Sequence, residues 1–213
     1  MNGLVDSLLV VILLLNLFTL GTSRIRAVIQ VVALQGILLG AMPLMIHDPC
    51  HLQTLLMAVG TAGLKGWVIP NMLSRAMRDL SIQREVEPLI SLTKSLLLGA
   101  IGTALALAFA RHLPLVEGHA AGLLVPASLS TVLTGLLILT TRIKAITQVL
   151  GYLIFENGVF IFGLMLIEAL PFFVEIGVLL DLLVGVFVMG IIINHINREF
   201  SSVSTERLSS LKE

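Results

Sequence analysis

The sequence predicts an all-α membrane protein: one polytopic bundle of seven transmembrane helices. Three observations carry that. Hydrophobic residues make up 57% of the 213 residues and charged residues only 12%, where a soluble domain carries about 25% charged residues. The apolar residues gather in stretches of about 20, the length that crosses a bilayer as a helix. No polar linker is long enough to divide the chain, so residues 1–197 read as a single bundle and 198–213 as a polar tail.

In lipid every backbone group must be satisfied internally, which leaves helices as the spanning element. The spans run roughly Leu4–Leu20, Ala27–Ile46, Leu52–Met77, Leu89–Ala110, Ala121–Thr141, Ile146–Leu170 and Phe172–His195. Arg24 and Arg26 lie in the first connection. The second, His47-Asp48-Pro49-Cys50-His51, has no Lys or Arg. The third carries Arg75, Arg78 and Arg84 among Asp79, Glu85 and Glu87. The fourth holds Arg111, His112, Glu117 and His119. The fifth is short, with Arg142 and Lys144, and the sixth is a tight turn at Pro171.

Basic residues therefore alternate sides. Ten fall in the first, third and fifth connections and the tail, and Arg111 falls opposite. The positive-inside rule then puts the N-terminus outside and the C-terminus in the cytoplasm. Small residues share helix faces at Gly36 and Gly40, at Gly60 and Gly63, at Gly99 and Thr103, and along Gly177, Asp181 and Gly185. Such faces let helices approach closely.

Several classes are excluded or disfavoured. Formal net charge is zero, so nothing points to nucleic acid. The single Cys50 excludes an internal disulfide and any zinc or iron–sulfur site built from several cysteines of this chain. The His47, Asp48, Cys50, His51 turn contains ligand-type residues but lacks a metal-site spacing and reads as a polar loop. Nothing resembles a phosphate loop or a nucleophile triad. The N-terminus does not read as a typical signal peptide: it lacks a basic n-region, and its arginines follow the apolar run instead of preceding it.

The informative residues are the ionisable ones inside the apolar runs. At 1.5 Å per residue, Lys65, Glu156 and Asp181 each lie about midway along their spans. A charge at the bilayer centre costs roughly 3 kcal/mol on insertion scales, so such residues face the protein interior or a water-filled path. Glu175 lies nearer the outer end of the last span. Pro70 removes the hydrogen bond to the Gly66 carbonyl, directly beside Lys65, which favours a local kink and bound water. Trp67 and Tyr152 lie too deep for an interfacial belt, so packing or a polar partner is expected for each. Two readings stay open: the charges pair and pin the bundle, or they form a proton or ion relay.

The run Gly151-Tyr152-x-x-x-Glu156-Asn157-Gly158, followed by Val174-Glu175-Ile176-Gly177-x-x-x-Asp181, resembles the component E membrane subunit of hydrogenase 4, of the energy-converting group 4 nickel–iron hydrogenases and formate hydrogenlyases. Lys65 followed by Pro70, Arg75 and Arg78, and the closing Leu208-x-x-Leu211-Lys212, resemble it as well. The last three helices, 121–195, are more distantly similar to the K subunit of complex I and the C subunit of multisubunit sodium/proton antiporters, with Arg142, Gly151 and Asn157 in register. There the first glutamate falls near Leu153, one turn before Glu156, and the second at Asp181.

The resemblance implies a non-catalytic membrane-arm subunit in a bacterial inner membrane. Its partners would be antiporter-like subunits, a membrane anchor subunit and peripheral hydrogenase subunits, with no cofactor or metal in this chain. Lys65, Glu156 and Asp181, with Glu175, are the expected midplane axis. Pro70, Gly151, Asn157, Gly158, Gly177 and Gly185 are expected to shape it. A passive membrane scaffold and an independent small ion transporter remain as alternatives.

Overall fold

The computed structural model describes residues 2–46, 52–79, 88–113 and 123–164. The turn at His47–His51, Arg84, Glu85, Glu87, Glu117, His119, and everything from 165 onward lie outside the described residues. That last stretch includes Glu168, Pro171, Glu175, Gly177, Asp181, Gly185, the seventh span and the tail.

The described chain is helical. Helices α1 (Asn2–Gly21), α2 (Ile25–Ile46) and α3 (Leu52–Gly63) come first. A π-helical segment, Leu64–Val68, then leads into α4 (Ile69–Asp79). Helices α5 (Leu92–Arg111), α6 (Leu124–Thr141) and α7 (Ala145–Leu164) follow. Five of these, α1, α2, α5, α6 and α7, are long and apolar enough to cross a membrane, so the chain is a membrane protein. The expected third span is helical throughout but in three pieces, because the widened turn interrupts it. Its cause is Pro70, which lacks an N–H and whose ring crowds the carbonyl four residues earlier. The Ile69 N–H reaches back to the Leu64 carbonyl, five residues away, which is the π spacing.

The expected start of the fourth span at Leu89 is corrected. Ser91 is the N-cap, its side chain accepting from the Lys94 N–H at 3.4 Å. Leu89 is drawn off by the turn between α6 and α7, where its N–H donates to the Thr141 carbonyl at 2.8 Å. The helix therefore begins at Leu92.

Two apolar cores form. One gathers Leu20, Ile25, Val28, Val32, Leu73, Ile138, Leu150 and Ile154. The other gathers Val5, Leu9, Ile12, Leu39, Met42, Leu124, Ala127 and Ile161. Along α1 and α6 the second core comes first. Along α2 and α7 the order is reversed, so α1 and α6 run one way and α2 and α7 the other. Arg24, Arg26 and Arg142 belong to the end that holds the first core, and α5 enters at that end, because Ser95 contacts Arg142.

Arg142 clamps that end. It is buried, and its Nη2 donates to the Leu20 carbonyl at 3.2 Å and to Ser95 Oγ at 3.3 Å, joining α1, α5 and the α6–α7 turn. Its own carbonyl accepts from Gln148 Nε2 at 3.0 Å. Burial pulls the guanidinium below its ordinary value.

Glycine decides how close the helices come. A Cβ on Gly158 would sit 2.6 Å from the Val132 nitrogen, and one on Gly151 would sit 2.9 Å from the Leu139 nitrogen. Helices α6 and α7 are therefore packed backbone to backbone. Gly36 and Gly40 do the same for α2 against the α3–π run, facing Lys65 and Ala62. Gly60 and Gly63, expected as a packing face, meet nothing within 4 Å among the described residues.

Candidate functional site: a buried ion pair and carboxamide chain

Between the two apolar cores lies a polar layer. In α1 Asn16 falls between Ile12 and Leu20, and in α2 Gln35 falls between Val32 and Leu39. In α6 Thr131 falls between Ala127 and Ile138, and in α7 Glu156 and Asn157 fall between Ile154 and Ile161. Lys65 reaches this layer from the π segment. All six are buried.

The widened turn shapes the Lys65 position. It accommodates Pro70, and Gly36 and Gly66 let α2 close against it. Lys65 Nζ lies 3.3 Å from Glu156 Oε1, and the two side chains are only 3% and 4% exposed. The ammonium also sits over the Phe160 ring, 5.4 Å from its centroid. Glu156 and Phe160 are four apart on α7 and so share a face, giving the cation both a carboxylate and a π surface.

A chain of neutral polar groups leads away from Asn157. Its Nδ2 donates to Gln35 Oε1 at 3.3 Å, Gln35 Nε2 donates to Asn16 Oδ1 at 2.9 Å, and Asn16 Nδ2 donates to Thr131 Oγ1 at 2.8 Å. Thr131 Oγ1 in turn donates to the Ala127 carbonyl at 2.7 Å. Asn157 Oδ1 is buried and accepts no hydrogen bond among the described residues. On the neighbouring face of α6, Ser130 Oγ and Thr103 Oγ1 of α5 are 2.7 Å apart.

Of the expected site residues, Lys65 and Glu156 are brought together, and Asn157 adjoins them. Pro70 acts one turn beyond Lys65. Gly151 and Gly158 are contact points of α7 on α6. Asp181, Glu175, Gly177 and Gly185 lie outside the described residues. Tyr152 stacks at a tilt on Phe155, with centroids 6.1 Å apart. Trp67, expected to pack or find a polar partner, is 71% exposed on the described bundle. Asn16, Gln35 and Thr131 were not among the expected site residues. Their signal is faint but present: a carboxamide or hydroxyl near mid-span in each of three apolar runs.

Chemically, the described residues hold one opposite-charge pair out of water, with a neutral hydrogen-bonded chain starting at the adjacent residue, Asn157. Among the described residues no cluster of three His, Cys, Asp or Glu could hold a metal ion.

The chain is 34% identical over 194 residues to the uncharacterized protein Rv0085 of Mycobacterium tuberculosis, covering 89% of this chain and 87% of that one. No protein-family profile matches it, and no solved structure does.

Proposed function

We propose, for a chain that belongs to the family of the Mycobacterium tuberculosis protein Rv0085, that it is a non-catalytic membrane subunit of a hydrogenase-4-like, complex I-like redox assembly. In this reading it spans a bacterial inner membrane seven times, with its N-terminus outside and its C-terminus in the cytoplasm. It lies beside antiporter-like subunits and a membrane anchor that carries the peripheral hydrogenase subunits.

The observation that carries the reading is the buried pair of Lys65 and Glu156 at 3.3 Å, midway between two apolar cores. A carboxylate and an ammonium at that depth form a charge store that one proton can switch. Protonation of Glu156 neutralises the carboxylate, takes the pair from net zero to net positive, and lets the ammonium shift toward another anion. Asp181 of the seventh span is the proposed second acid, and Glu175 the proposed outer exit. The apolar cores above and below keep protons from leaking straight across. The gathering of Arg24, Arg26 and Arg142 at one end supports the proposed orientation.

One observation favours a second reading, a passive scaffold. The same Lys65 that pairs with Glu156 is also held over Phe160, as a permanent structural pin would be. Buried ion pairs of that kind fix packing without moving charge.

Purification of the tagged full chain from native membranes tests the assembly. Recovery with antiporter-like and nickel–iron hydrogenase-type subunits is expected. Recovery of the chain alone, in gentle detergent that keeps other membrane complexes whole, would contradict it.

A further inference from the structure

We infer that Thr131, Asn16 and Gln35 are positioning residues that hold Asn157 with its carbonyl oxygen turned toward the Glu156 side, as an acceptor for an O–H donor arriving there. This deepens the relay reading of the Lys65–Glu156 site and rests on it for its functional meaning.

The reasoning starts at the far end of the chain. A backbone carbonyl can only accept. Thr131 has one hydroxyl proton and gives it to the Ala127 carbonyl at 2.7 Å. Toward Asn16 it therefore offers lone pairs only, and Asn16 must present its amide nitrogen, as it does at 2.8 Å. That leaves Asn16 Oδ1 to accept, so Gln35 turns its nitrogen that way, at 2.9 Å. Gln35 Oε1 then accepts from Asn157 Nδ2, at 3.3 Å. Each link dictates the next, and the last consequence is that Asn157 Oδ1 points away from the chain.

That oxygen is the one left over. It is buried and accepts no hydrogen bond among the described residues, and a buried acceptor without a donor is an exception that calls for an explanation. It sits on the residue next to Glu156. The proton of a neutral Glu156 carboxyl supplies such a donor: an O–H that needs an acceptor in a dry place. A chain of opposite polarity would present an N–H instead and repel that donor. Asn16 and Gln35 are otherwise costly residues for apolar spans.

The test uses dicyclohexylcarbodiimide, which modifies neutral carboxyls in apolar surroundings. The rate of Glu156 modification is read by mass spectrometry in membranes from cells producing the full chain. Thr131→Val keeps the shape and removes the hydroxyl. Thr131→Ser keeps the hydroxyl and removes a methyl group. The inference expects Thr131→Val to change the rate at least threefold and Thr131→Ser to leave it near that of the wild type. A packing role for Thr131 predicts the reverse order and would overturn the inference, as would equal rates in all three proteins.

If Thr131→Val does not accumulate, Gln35→Met cuts the same chain in its middle and should shift the rate likewise. Loss of both variants with normal Thr131→Ser would make the chain an assembly element only. A wild-type Glu156 that never reacts would also overturn the inference, because no neutral carboxyl then needs an acceptor. The rate is read without any partner complex, so normal proton coupling in Glu156→Gln would defeat the relay reading and leave this measurement standing.

Discussion

Replacing Gly36 with alanine probes how the polar layer is closed. A Cβ at this position would lie 2.6 Å from the Lys65 carbonyl carbon and 2.8 Å from both the Gly66 nitrogen and Lys65 Cβ. Comfortable carbon–carbon contact is about 3.5–4.0 Å, so α2 and the π segment must part by about 1 Å. Two of the three obstructing atoms are backbone and cannot rotate aside. Overpacking of this kind costs about 1–3 kcal/mol, and the backbone obstruction argues for the upper half. At roughly 2–4 °C per kcal/mol for a chain of this size, Tm should fall by about 5–10 °C. The separation also carries Lys65 away from Glu156.

Gly60→Ala is the control. It sits inside α3 and its Cβ would meet nothing within 4 Å among the described residues. It should gain about 0.5–1 kcal/mol from helix propensity. Thermal unfolding of the full chain in detergent, followed by Trp67 fluorescence, compares the two. A Gly36→Ala protein as stable as Gly60→Ala would refute the close approach of α2 to the Lys65 turn.

Three other outcomes are expected. Lys65→Met alone should cost about 3–5 kcal/mol by leaving a buried carboxylate without its partner, and adding Glu156→Met should recover most of that; simple additivity of the two losses in a double-mutant cycle would contradict a direct pair. Arg142→Ala should cost about 2–4 kcal/mol, because two hydrogen bonds from a charged donor are lost and the α1, α5 and α6–α7 ends come apart; a loss too small to measure in thermal unfolding would rule out the clamp. Cys50 should react with a membrane-impermeant maleimide in whole cells or spheroplasts, and reaction confined to inside-out vesicles would reverse the proposed orientation.

That Lys65 could meet an acid at its own level was legible, because depth along a helix can be counted and a charge in hydrocarbon needs an opposite charge, but the choice between Glu156 and Asp181 was not, since both lie near mid-span. Pro70 was legible for a similar reason. A missing N–H and a crowded carbonyl must distort the turn before it, and the distortion takes the form of a π segment at Leu64–Val68. The carboxamide chain was not read. Asn16, Gln35 and Thr131 are neutral, and Gln30 in α2 and Ser128, Ser130 and Thr134 in α6 are of the same kind, so neither charge nor residue type singles them out, and only their common depth links them. Glycine spacing was a partial guide. Among the described residues Gly36 and Gly40 pack while Gly60 and Gly63 do not, because a small face allows a close approach without requiring a neighbour. Which face a neighbour takes is decided by the whole bundle. Trp67 shows the same limit: its depth was readable, its direction was not. The first turn of α5 depended on a hydrogen bond from Leu89 to Thr141, which lies 52 residues on in the chain and which local sequence cannot announce.

The most direct test of the central claim is Glu156→Gln, with assembly and proton coupling measured on the same preparation. The substitution keeps size and hydrogen-bonding capacity and removes the charge that Lys65 faces at 3.3 Å. If the pair is a switchable charge store, the complex should assemble and transfer electrons at near-normal rates while proton translocation per electron falls several-fold. Reduced assembly with normal coupling in the complex that survives would make the pair a structural pin, and normal assembly with normal coupling would remove Glu156 from both roles.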